Sequence, residues 1–352
     1  MSSHDGQPVT AGQGARWVNR PEGSTWGDFG PDDQLGRLNL IDAAKIRQGV
    51  AEVREGRAFC LSLPLDLPGG NLLNPRRHPP RLQPTHQNHV PRWMFEVGGD
   101  VDGATDVIND DVALLHLQYS SQWDSFAHAG SLFDANGDGR PEPVFYNGFR
   151  GGVELPLARE VDGALLSRVD RLGIDQFAVH GIQGRAVLVD LHRHLGDERT
   201  AVDYDTLARI MAADQVVVEA GDILLLHTGF AGHLLKWAGK PDPDRIHSIC
   251  PVLEGRDQAL LQWITDSGVA AIAADNYAVE DAGPRRLTGR CAMLPLHEHC
   301  LFKLGVPLGE IWYLSELAAW MHSAGRSRCL LTAPPLRLPG AVGSPVSAIA
   351  TV

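Results

Sequence analysis

Between residues 118 and 128 the chain reads Gln118-Tyr-Ser-Ser-Gln122-Trp-Asp124-Ser-Phe-Ala-His128, with a polar group at every second position up to Asp124. The apolar run Val112-Ala-Leu-Leu115 precedes it, so the segment is expected to begin as a buried strand, whose side chains alternate faces. Continued in extended form, His116, Gln118, Ser120, Gln122 and Asp124 point the same way. A core rejects five hydrogen-bonding groups on one face unless water, a metal or a ligand satisfies them. The spacing therefore suggests the wall of a cleft. The same alternation also fits the solvated face of an antiparallel edge strand, with Tyr119 and Trp123 packed behind it.

This segment resembles a diverged copy of the signature His-x-Gly-Thr-His-x-Asp-x-Pro-x-His of the metal-dependent cyclase family, which includes bacterial kynurenine formamidase and isatin hydrolase. Laid on this chain, Gln118 and Gln122 take the places of two metal-binding histidines. Asp124 takes that of the metal-binding aspartate and His128 that of the catalytic histidine. Ser120-Ser121 replaces Gly-Thr, and Phe126 stands where the family has proline. Further segments are similar to the family: Ala220 to Phe230 with its Thr-Gly turn, Ile272-Ala-Ala-Asp-Asn276, Leu296 to Glu310, and Gly343-Ser-Pro345. The likeness runs with gaps from about Asn39 to the C-terminus.

The resemblance implies a swivelling β/β/α fold and a divalent cation, Mn2+ or Zn2+, with Mg2+ also admitted. Its implied ligands are Gln118, Gln122, Asp124, His297 and Glu310. Two carboxylates balance one such ion, and amide oxygens in place of imidazoles favour Mn2+ or Mg2+ relative to zinc while weakening affinity for all three. His297 lies 13 residues before Glu310 and His299 lies 11 before it, and the family's spacing falls between these. Either can supply the nitrogen ligand. His297 is favoured, with the extra residue placed in the turn Gly305-Val-Pro307.

His128 is the expected general base, because an unperturbed imidazole titrates near about 6.5 and can take a proton from water and return it to a leaving atom. Asp124, four residues earlier, reaches it if the chain turns helical after Trp123. Trp123, Phe126 and Tyr146 are candidates for an apolar pocket around a planar substrate, although such aromatics also fit a core. The expected activity is metal-assisted hydrolysis of a C–N bond in a small non-peptide amide, formamide or cyclic amide. Alternatives are a lactone hydrolase or dehydratase acting on an oxygen leaving group, and a non-catalytic small-molecule-binding relative.

Composition agrees with a soluble enzyme. The chain has 352 residues, 43% of them hydrophobic, with a formal charge of −12 that disfavours nucleic acid and anionic lipid as partners. It has no membrane-length apolar run and no signal-peptide pattern at its start, so a cytoplasmic location is expected. A homodimer or homotetramer is expected from the family. Five scattered cysteines without a Cys-x-x-Cys pair argue against a disulfide framework or zinc knot, and most of them read as small buried hydrophobes.

Strand and helix signals alternate along the chain. Residues 1–30 read as an N-terminal arm and 31–352 as one catalytic domain. Asp42 caps an expected helix with Ile46, Val50 and Val53 on one face. Residues 68–91 hold six prolines and three histidines without periodicity, a long loop suited to a lid. Strands are expected at 186–191, 223–226 and 269–274, and helices at 205–213, 256–267 and 317–324. Apolar strands flanked by helices imply α/β, with mixed sheets covered on their faces. Asp134-Ala-Asn-Gly-Asp-Gly139 copies the start of a calcium loop but places Phe145 at its twelfth position, so it reads as a turn.

Overall fold

The computed structural model describes residues 16–283, 287 and 289–352. Its central sheet has nine strands: Ala58–Cys60 (β1), Gln122–Asp124 (β2), Gln183–Asp190 (β3), Ile223–His227 (β4), Ala271–Ala274 (β5), Leu308–Glu310 (β6), Arg328–Thr332 (β7), Gly343–Pro345 (β8) and Ile349–Thr351 (β9). They are ordered β1-β9-β7-β3-β4-β5-β6-β2-β8. The inner strands β3 to β6 are parallel, whereas β7 runs against β3 and β2 against β6. Ile223 to Leu226 and Ala271 to Ala274 have almost no exposed surface, as strands covered on both faces must. The mixed α/β class and its covered sheet follow the apolar runs of the sequence.

Eight helices are described: Ala43–Ala51 (α1), Asp175–His180 (α2), Leu191–Leu195 (α3), Tyr204–Ala213 (α4), Phe230–Trp237 (α5), Gln258–Ser267 (α6), Pro295–His297 (α7) and Ser315–Ala324 (α8). After α7 the chain continues as a π-helical stretch, Glu298–Leu304. The carboxylates of Asp42, Asp203 and Asp257 accept a first-turn backbone N–H of α1, α4 and α6, donors that otherwise lack partners. Helix α6 buries Leu260, Leu261 and Ile264 and stops at Gly268, whose φ of +67° suits glycine.

Helix α1 is rotated from the face expected: Ile46 packs against the core, but Lys45 and Gly49 are buried and Val50 is exposed. The cause is a close crossing over β3, where a Cβ on Gly49 would meet the carbonyl carbon of Gly184 at 2.8 Å. Lys45 then reaches through to the fully buried Asp222, which Arg185 also grips in two hydrogen bonds.

The buried strand expected at Val112 to Leu115 is not found. Asp111–Leu114 pairs with Arg81–Pro84 in a separate ribbon, and two further ribbons lie between them in sequence. No described residue covers this ribbon, and Leu82, Val112 and Leu114 are exposed. The chain leaves it through a turn in which Tyr119 N–H donates to His116 O, which breaks the extended run from 112 to 124. The proline-rich segment is therefore a loop over residues 68–80 and ribbon beyond.

Of the N-terminal arm, residues 1–15 lie outside the described residues. Residues 16–30 lie against the main core, with Trp17 and Trp26 buried and Trp26 Nε1 donating to Phe302 O. One hydrophobic cluster extends from Trp17 to Val352, and a smaller one joins Leu63, Leu67 and Leu73 to Phe230, Cys250 and Ile311. Asp134 spends its carboxylate on the N–H groups of Gly137, Asp138 and Gly139, a turn as expected. Among the described residues no helix is long and apolar enough to cross a membrane.

Candidate active site

The site is built where β2 meets β6. In their antiparallel register Gln122 faces Glu310 and Trp123 faces Gly309. Alternation then puts Gln122, Asp124 and Glu310 on one side of the sheet and Trp123 on the other. Helix α7 brings His297 over that side, and one ligand atom each from Asp124, His297 and Glu310 lies within 4.8 Å of the others. All three residues are buried.

Glu280, which the sequence did not mark, fixes the imidazole. Its carboxylate accepts from Nδ1 of His297 at 2.8 Å and from the backbone N–H groups of Leu296 and His297. The other nitrogen, Nε2, lies 3.3 Å from Glu310 Oε1. Between His297 and Glu310 the chain runs through the π-helical stretch, whose turns are wider than those of an α-helix, and then the turn Gly305-Val-Pro307. His299 points elsewhere, with Nε2 2.9 Å from Thr265 Oγ1, and burial lowers its pKa to about 4.

The electrostatics follow from burial against pairing. Desolvation disfavours a charged His297, yet its hydrogen bonds to Glu280 and Glu310 outweigh this and raise it to about 10. Burial likewise pushes Glu310 up, but the hydrogen bond and charge of His297 leave it below the usual carboxylate range. Asp124 moves the other way. Burial raises it, His128 opposes only in part, and the negative Glu310 adds to the rise.

The remaining residues singled out from the sequence divide. Gln122 belongs to the cluster: its Nε2 donates to Glu310 Oε2 at 3.3 Å and to Asp124 Oδ1 at 3.4 Å. His128 stands at the rim, a quarter exposed, with Nε2 3.9 Å from Asp124 Oδ1. A turn closed by His128 N–H on Ser125 O, rather than a helix, brings it back. Gln118 makes no hydrogen bond to these carboxylates. It lines a neighbouring cleft with Asn74, Arg77, Tyr277 and Ile311, and its carbonyl accepts from Arg77 Nη1 at 2.6 Å. The expected single face from His116 to Asp124 thus reduces to Gln122 and Asp124.

The proposed aromatic pocket is not formed. Trp123, Phe126 and Tyr146 have no exposed surface. Trp123 lies behind the sheet against Trp312 and donates to Ala333 O, while Phe126 packs on Tyr146 and Phe177. Tyr146 donates its hydroxyl to Asp33. Asp275, in the segment likened to a family strand, is also not at the site. It clamps the Thr228-Gly229 turn through Thr228 N–H, Thr228 Oγ1 and Gly229 N–H. Arg77 is the other residue sequence reasoning missed, and its positive charge acts on both Asp124 and Glu310. A lone arginine in a loop and a lone glutamate after a strand carry no spacing signal.

The donor set fits a divalent cation. Asp124 Oδ2 and Gln122 Oε1 are buried with no hydrogen-bond partner among the described residues, an arrangement that costs about 1–3 kcal/mol per group unless a ligand satisfies it. Two carboxylates, one imidazole and one amide oxygen form an oxygen-rich set of appropriate charge.

The family model described as "Putative cyclase" matches residues 61–281. Among solved structures, the chain is similar to one described as a novel cyclase, with 28% identity and a TM-score of 0.71 over 94% of this chain and 97% of that one. It shares its fold with isatin hydrolase A from Labrenzia aggregata, at 12% identity and a TM-score of 0.52 over 87% of this chain and 98% of that one. The same holds for isatin hydrolase A from Ralstonia solanacearum, at 14% identity and a TM-score of 0.51 over 84% and 91%. No curated protein matches the chain. Because the family model takes in more than half of its length, the chain belongs to the cyclase family.

Proposed function

We propose that this cyclase-family chain is a metal-assisted hydrolase of the C–N bond in a small non-peptide amide, formamide or cyclic amide. The observation that carries the reading is the convergence of Asp124, His297 and Glu310, buried together with two unpartnered oxygens. These three residues and Gln122 would hold the ion, and their oxygen-rich character favours Mn2+. When bound, the ion supplies Lewis acidity to a carbonyl oxygen and eases deprotonation of water.

The chain's own groups do the rest. His128, beside Asp124 at the rim, accepts the proton of the water that attacks the carbonyl carbon. It passes that proton to the departing nitrogen as the C–N bond breaks, leaving a carboxylic acid and an amine. Glu280 holds the His297 ring in place. Arg77, with Asn74 and Tyr277 along the adjoining cleft, offers a cation to an electron-rich oxygen of the substrate. The exposed apolar side chains Leu82, Trp93, Met94 and Leu114 support a homo-oligomer, which light scattering tests.

The deciding experiment is a panel of formamides, cyclic amides and lactones assayed with Mn2+ and with chelator. C–N hydrolysis that chelator abolishes and Mn2+ restores is the expected result. Turnover confined to lactones, or indifferent to chelator, overturns the proposal.

A further inference from the structure

We propose that Asp197, His233 and Cys250 form a second cation site, containing a thiolate and suited to zinc, apart from the cleft of Asp124 and Glu310. One ligand atom from each lies within 4.8 Å of the others. The three come from separate elements: Asp197 from the turn after α3, His233 from α5 and Cys250 from the loop beyond it. Asp197 Oδ1 lies 2.9 Å from His233 Nε2 and 2.8 Å from Nε2 of His192, a second imidazole that stands at the surface beside the group of three.

Two features argue that this grouping is built. Cys250 is fully buried, yet its backbone has a φ of +66°, a left-handed conformation that residues with a Cβ seldom adopt. It is held there by its N–H donating to Asp197 O at 2.8 Å, the same residue whose carboxylate meets both imidazoles. Across from it, Gly229 has a φ of +87°, and a Cβ there would meet Cδ2 of His192 at 2.4 Å. Glycine is what lets that ring approach.

The donor chemistry differs from that of the first site. One sulfur, one imidazole nitrogen and one carboxylate oxygen, with water as the fourth donor, suit Zn2+, whereas the oxygen-rich cleft suits Mn2+. Burial pushes the Cys250 thiol up to about 12, so the arriving cation must displace its proton, which leaves to solvent as the metal–sulfur bond forms. Hydrogen bonds from His233 and His192 hold Asp197 down at about 2, so its carboxylate is already charged.

Three protein donors leave the fourth position to water, on the half-exposed side of Asp197. What the bound ion would hold is the floor of the cleft. Pro251, next to Cys250, accepts from Asn276 Nδ2 at 3.1 Å, and Asn276 O accepts the N–H of Ile311, the neighbour of Glu310. Cys250 and Ile311 also share the smaller hydrophobic cluster with Leu67 and Leu73 beneath the cleft loop.

The test is Co2+ added to the metal-free full-length protein, read by absorption. A sulfur-to-cobalt charge-transfer band in the near ultraviolet is expected. It should survive in Glu310→Gln, which damages only the first site, and vanish in Cys250→Ser. Elemental analysis after zinc loading should show one zinc per chain lost in Cys250→Ser. Should that variant fail to fold, Asp197→Asn at a half-exposed carboxylate replaces it, with zinc affinity expected to fall at least tenfold. A wild-type protein without the band, a band that persists in Cys250→Ser, or unchanged affinity in Asp197→Asn overturns the proposal.

Discussion

Glu280 and Glu310 grip opposite edges of one imidazole: Oε1 of Glu280 lies 2.8 Å from Nδ1 of His297, and Oε1 of Glu310 lies 3.3 Å from Nε2. The first carboxylate therefore sets the ring's orientation and proton placement while the second faces the same space as Asp124. Glu280→Gln is expected to weaken divalent-cation affinity by about 10–100-fold, the usual cost of losing a carboxylate behind a ligating histidine. Titration calorimetry measures it, and unchanged affinity would show that His297 needs no such support.

His128→Ala should keep the bound cation and lower kcat by about 10²–10⁴-fold, the range supplied by a positioned acid–base group. Metal content and steady-state kinetics on the same preparation read the two effects separately. Full turnover in this variant removes His128 from the proton path.

Gln122→His adds an imidazole beside Asp124 and Glu310 in place of a neutral amide. The expected outcome is tighter binding of zinc relative to Mn2+, by about tenfold or more, because nitrogen donors suit zinc better than they suit Mn2+. Competition titrations on wild type and variant decide it. No change in preference would place Gln122 outside the coordination sphere.

Asp222 accepts two hydrogen bonds from Arg185 and one from Lys45, all three residues being buried. Asp222→Ala leaves both cations without this partner under α1 and should cost about 3–5 kcal/mol. Urea denaturation checks this, and a loss below about 1 kcal/mol would mean that water enters the site.

The pair His227 and Asp190, 2.7 Å apart, sets a pH window for stability. Burial lowers His227, but the hydrogen bond to Asp190 and the charges of Asp275 and Asp190 raise it overall. Burial raises Asp190, and the same hydrogen bond more than reverses that. The histidine's contribution is whole below about 6.5 and fades as pH rises through its elevated folded value. The aspartate's is whole above about 3.9 and fades as pH falls through its depressed one. His227→Gln should therefore lose more stability at about pH 5.5 than at about pH 9. An equal loss at both would mean that the pair does not titrate on folding.

Much of the architecture could be read from residue order. The strands Ile223–His227 and Ala271–Ala274 are apolar runs that any covered sheet produces, and α6 carries three core residues at helical spacing. Asp124, His297, Glu310 and His128 were marked by a resemblance whose pattern survives two substitutions. Glu280 was hidden because a single carboxylate has no period, and it reaches His297 only through the folding of the segment between them. The aromatics misled because Trp123 follows Gln122 in sequence while strand alternation sends it to the opposite face. Val112 to Leu115 has the composition of a core strand, but it pairs with Arg81–Pro84 in a ribbon that no described residue covers. Cys250 shares no spacing rule with Asp197 or His233, so only the fold unites them.

The π-helical stretch between His297 and β6 bears on how this protein can change over generations. None of the nine strands passes through Glu298–Leu304, so a change of length there would alter the placement of His297 before it disturbed the sheet. Ligand position and scaffold can therefore diverge separately.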